Sequence, residues 1–82
     1  MAYVLETRRR FNGKWTSWDG FDFNPNLEYA QKSLNEVLEE KMAVEDRPEL
    51  MPIWKEISEK AKTLEVGEIL ECDERQWRIV MQ

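Results

Sequence analysis

The chain has 82 residues, 41% hydrophobic and 35% charged, with net charge −5 and nine aromatic side chains, four of them tryptophan. This length holds one small domain, residues 1–82, and the aromatic side chains give it enough large buried area for a core without covalent staples. There is no histidine and only one cysteine, Cys72, which excludes imidazole acid–base chemistry, histidine-ligated metal and an internal disulfide.

Residues 2–11 alternate as a strand, with Tyr3, Leu5, Thr7, Arg9 and Phe11 on one face and Val4, Glu6, Arg8 and Arg10 on the other. Asn12-Gly13 follows, the strongest short-range hairpin signal, because a type I′ turn needs positive φ at both central residues. Register then sets Phe11 opposite Lys14, Arg10 opposite Trp15 and Thr7 opposite Trp18, placing the two tryptophans on opposite faces. A bulge at Thr16-Ser17 would bring both to one face. Asp19-Gly20 reads as a bend or bulge before Phe21-Asp22-Phe23, and Asn24-Pro25 as a helix start with Asn24 as N-cap.

Leu27, Ala30, Leu34, Val37, Leu38 and Met42 draw an apolar stripe on a first helix. Its outer face carries Glu28 before Lys32 and Lys41 before Glu45 at four-residue spacing. Leu50, Ile53, Trp54, Ile57, Ala61 and Leu64 draw a second stripe, with Pro52 near the start of the helix and Gly67 as its left-handed stop. The tail returns to β character, read as a second hairpin broken at Asp73-Glu74-Arg75, with one long strand as the alternative. The expected architecture is α+β: a small antiparallel sheet of two hairpins in the order ββααββ, covered on one face by two amphipathic helices.

Catalytic apparatus is lacking. Cys72 lies among Glu71, Asp73 and Glu74, which disfavour a thiolate, and reads as an inert strand cysteine. Asp19, Asp22, Asn24 and Asn26 fail the calcium-loop spacing and read as turn and cap residues. No phosphate-cradling glycine loop is present. The expectation is therefore a non-enzymatic chain without cofactor or metal. With no signal peptide and no run approaching the about 20 apolar residues of a membrane span, it is expected to be cytoplasmic.

The charge is uneven. Residues 1–24 carry four basic and three acidic residues, net +1, whereas residues 25–82 carry 8 basic and 14 acidic, net −6. Arginine and tryptophan are the residues enriched in interface hot spots, so Arg8, Arg10, Lys14, Trp15 and Trp18 are the candidate protein-binding residues. The expected function is a protein-interaction module, monomer or homodimer, working as inhibitor or adaptor of a larger complex through this hairpin or an exposed sheet edge. Size, acidity and layout are of a kind met among small accessory proteins of phages and mobile elements, though no motif carries that likeness. The alternative is a nucleic-acid role, either direct binding by the basic aromatic hairpin or acidic mimicry through the helices. Repulsion between a net −5 body and a polyanion weighs against the first, and the lysines interspersed among the helix acids weigh against the second.

Overall fold

A computed structural model describes residues 1–82. Strand β1 (Tyr3–Phe11) is followed by β2 (Lys14–Trp15) and β3 (Asp19–Asn24), then helices α1 (Leu27–Ala43) and α2 (Met51–Ala61), and finally β4 (Ile69–Cys72) and β5 (Arg75–Met81). The α+β layout with two central helices is as the sequence predicts, but three strands rather than two precede them. β1 forms the spine: one edge pairs with β5 from Tyr3 to Arg9, and the other pairs first with β3 and then, past Thr7, with β2. β4 lies outside β5, and every pairing is antiparallel.

The Asn12-Gly13 turn has φ of 52° and 77°, and Arg10 faces Trp15 and Phe11 faces Lys14 as expected. Register then slips. Thr16 donates its backbone N–H to the Arg9 carbonyl (2.8 Å), yet Thr7 lies opposite Asp19 instead of Trp18. One extra residue is accommodated between these points, which reverses the alternation and sends Trp18 to the same face as Trp15. A second irregularity, between Leu5 and Glu6, skips Phe21. The first shift splits the returning arm into β2 and β3, and the second lies within β3.

Helix α1 is capped by Asn26, whose side chain accepts from the Tyr29 N–H (2.9 Å). The expected cap, Asn24, instead ends β3, and Pro25 stands outside the helix. The displacement follows from strand pairing: Asn24 is held opposite Tyr3, so the chain is not free to turn until after Pro25. α2 begins one residue before Pro52, where the ring removes no helical bond. It ends at Ala61, so Gly67 (φ 90°) does not terminate it. Gly67 instead turns the chain into β4 and donates to the Ile79 carbonyl.

The helices cover one sheet face. Leu5, Leu70, Cys72, Trp77 and Ile79 from the sheet meet Ala30, Leu34 and Leu38 of α1 and Trp54, Ile57 and Ala61 of α2 in one cluster. Trp54 and Trp77 pack edge to face, with centroids 5.6 Å apart, a geometry favoured by the ring quadrupole. Between the helices, buried Asn35 donates to the Ser58 carbonyl (2.6 Å).

The tail is the second hairpin, not a single strand. Asp73 and Glu74 both have positive φ, 53° and 59°, the conformation of a two-residue type I′ turn.

Candidate functional site

The odd-numbered residues of β1 and β5 face the helices, so the even-numbered ones form the open face. Cross-strand neighbours arrange that face in rows: Phe23, Val4 and Val80; then Gly20, Glu6, Arg78 and Ile69; then Arg8, Gln76 and Glu71; then Trp15 and Arg10. Trp18 joins from the bulge. The Arg8 guanidinium lies 5.1 Å from the Trp15 ring centroid and 4.4 Å from that of Trp18. Arg10 lies 5.4 Å from Trp15, and Arg78 lies 4.1 Å from Trp18. Four of the five expected residues, Arg8, Arg10, Trp15 and Trp18, are therefore gathered in one continuous cation–π cluster.

Lys14 is not among them. It stands opposite Phe11, one residue out of phase with Arg10 and Trp15, so strand alternation directs it to the reverse face.

Hydrogen bonds hold the cluster from the β5 side. Arg78 Nε donates to Glu6 Oε1 at 2.7 Å, and Arg8 Nε donates to Gln76 Oε1 at 2.8 Å. Gln76 in turn donates to Glu71 Oε1 at 2.7 Å. Arg78, Glu6 and Gln76 belong to the site although the hairpin sequence does not contain all three. The available signal was Arg78 itself, a charged residue between Trp77 and Ile79 in a strand whose apolar neighbours must face the core. Stacking uses the flat face of a guanidinium and leaves in-plane N–H donors at its edge, so Arg8 keeps hydrogen-bonding capacity after packing against both rings.

Beside the cluster the face becomes apolar. Phe23 is 65% exposed and Ile69 47% exposed, with half-buried Val80 between them and fully buried Val4 beneath. A Cβ at Gly20 would approach Val4 Cγ1 to 3.1 Å, so the absence of a side chain there lets β3 close over Val4.

Other candidate residues are placed in structural roles. Asp22 accepts from Ser33 Oγ of α1 and from Asn24 Nδ2, fastening β3 to the helix. Cys72 is 3% exposed. Burial first, then the nearby Asp73 and Glu45 carboxylates, push its thiol up to about 11. Glu45 does not pair with Lys41. Its carboxylate accepts from Arg47 Nε (2.8 Å) and the Trp54 indole N–H (2.8 Å), and these bonds hold it down to about 2. Arg47 also reaches Asp73 (2.6 Å), and its own pKa is raised by the two carboxylates. No helix is long and apolar enough to cross a membrane. No family model, curated protein or solved structure matches the chain.

Proposed function

We propose that the protein is a small cytoplasmic, non-enzymatic interaction module, an inhibitor or adaptor that docks on a larger protein complex through its open sheet face. The observation that supports this reading is the gathering of Arg8, Arg10, Arg78, Trp15 and Trp18 on the one sheet face that no helix covers. A partner suited to it offers carboxylates to the guanidinium edges and an apolar patch to Phe23, Val80 and Ile69. The salt-bridged and stacked arginines are already ordered, so docking costs less side-chain entropy than it would for free arginines.

Affinity capture from native-host extract with wild-type protein, compared with Arg8→Ala and Trp18→Ala, tests the proposal. Each substitution is expected to weaken capture by at least about thirtyfold, the scale of a hot-spot loss of about 2 kcal/mol, with helical circular dichroism unchanged. Undiminished capture by both variants overturns it. Labelled single-stranded RNA or DNA supplies the contrasting readout: binding that falls steeply with salt would replace the protein partner with a nucleic acid.

A further inference from the structure

Arg9 and Arg75 stand directly opposite each other at the end of the β1–β5 ladder. Like charges in that register repel and weaken a sheet. Neither is engaged in a salt bridge or a cation–π contact: the salt bridges engage Arg10, Arg47, Lys62 and Arg78, and the cation–π contacts engage Arg8, Arg10 and Arg78. The turn carboxylates Asp73 and Glu74 line a hollow with Arg9 and Arg75, but they pair with Arg47 and Arg10 respectively.

Both arginines belong to the helix-side face, opposite the cation–π cluster, and Arg75 forms a wall common to two adjoining hollows. One, of about 230 Å³, is lined by Thr7, Phe21, Val37, Lys41, Arg75 and Trp77. The other, of about 300 Å³, adds Arg8, Arg9, Thr16 and Asp19. The first hollow has an apolar floor and a third cation, Lys41, from the last turn of α1. Trp77 is 1% exposed, yet its indole N–H makes no hydrogen bond within the protein and is not sealed from solvent. The Trp77 side chain thus lines a space that two cations, Lys41 and Arg75, also border.

We propose that the paired hollows bind a phosphate monoester carried on a flat apolar group. The phosphate lies among Arg9, Arg75 and Lys41, and the apolar group lies on Phe21, Val37 and Trp77. Charge selects this chemistry. Apart from Arg8, which is stacked on Trp15 and Trp18, the cations Arg9, Arg75 and Lys41 face one carboxylate, Asp19, and this excess of positive charge suits a phosphate monoester, which carries about −1.5 to −2 near neutrality. Size agrees as well, since an apolar space of about 150 Å³ already accepts benzene.

The test is a titration of isotope-labelled full-length protein with phenyl phosphate, followed by NMR. Saturable shifts are expected at the Trp77 indole N–H and at the Thr7 and Phe21 amides. Arg75→Gln and Lys41→Gln should each weaken binding about tenfold, the loss expected for one charge-assisted contact. Arg75→Gln removes a like-charge repulsion and so should retain the fold. Benzyl alcohol, which has the ring without the charge, and inorganic phosphate, which has the charge without the ring, should both bind more weakly. A short phosphotyrosine peptide distinguishes the source: tighter binding than phenyl phosphate assigns a protein-borne group, and equal binding a free one. Absence of saturable shifts, unchanged affinity in both variants, or shifts confined to Trp15 and Trp18 would overturn the proposal. Partner capture by the open face should survive Arg75→Gln, so the two sites fail or stand separately.

Discussion

Glu74 holds φ at 59° in the second position of the β4–β5 turn. Only glycine adopts this region without steric cost, and for other L-residues the cost is roughly 1–2 kcal/mol. The Asn12-Gly13 turn meets the same requirement with residues suited to it, whereas the second hairpin meets it with Asp-Glu. Glu74→Gly should therefore stabilise the protein by about 1 kcal/mol after the entropy cost of glycine is deducted, raising Tm by about 4–8 °C. The lost Arg10–Glu74 ion pair (3.5 Å) is solvent-exposed and offsets little of this. Differential scanning calorimetry checks the shift, and an unchanged or lower Tm would show that the turn carries no such strain. The unsuitable composition of this turn is also why the sequence left one strand or two open at this point: without Asn-Gly or Asp-Gly, only the tertiary pairing of β4 with β5 fixes the hairpin.

At the level of elements, the helices were legible because their apolar stripes repeat at three and four residues, and Ala30, Leu34, Leu38, Trp54, Ile57 and Ala61 are all buried. Their ends were less legible. Asn24 and Asn26 flank the same proline and offer the same capping chemistry, and only the pairing of Asn24 with Tyr3 decides between them. Asn26→Ala should cost about 1 kcal/mol by removing the acceptor for the Tyr29 N–H. Asn24→Ala should cost clearly less, since its side chain makes only a 3.3 Å bond to Asp22. Urea unfolding of the two variants distinguishes these roles, and a larger loss at Asn24 would reverse the assignment. The candidate face was half legible for a related reason. Local composition marked Arg8, Arg10, Trp15 and Trp18, but the Thr16–Trp18 bulge that aligns the tryptophans breaks the period-two pattern that sequence reasoning relies on. Arg78 and Gln76 join Glu6 and Arg8 from 72 and 68 residues away, and no local pattern encodes a pairing of that span.

The parts of the molecule meet at Glu45. Its carboxylate, from the loop between the helices, binds the Trp54 indole of α2 and the Arg47 guanidinium, and Arg47 extends to Asp73 in the β4–β5 turn. One side chain thus ties the inter-helix loop to α2 and, through Arg47, to the far end of the sheet. The hydrogen bonds from Arg47 and Trp54 hold the carboxyl at about 2, against an ordinary value of 4.5. As pH falls, the unfolded chain protonates Glu45 first, so acid draws the equilibrium toward unfolding. The stabilisation is present in full above about pH 4.5, declines as pH falls toward 2 and is gone below it. Other carboxylates titrate over the same range, so the absolute acid slope cannot isolate Glu45, whereas the difference between wild type and Glu45→Gln can. In urea denaturation the variant should be less stable at pH 7, with the gap narrowing below pH 4.5 and nearly closing at pH 2. Trp54→Phe, which keeps the ring but removes the N–H donor, should reproduce part of the loss at pH 7 and a smaller part of the pH dependence. A gap between wild type and Glu45→Gln that is constant from pH 7 to pH 2 would mean that the contact acts through packing alone and that the carboxylate charge contributes nothing to holding loop, helix and hairpin together.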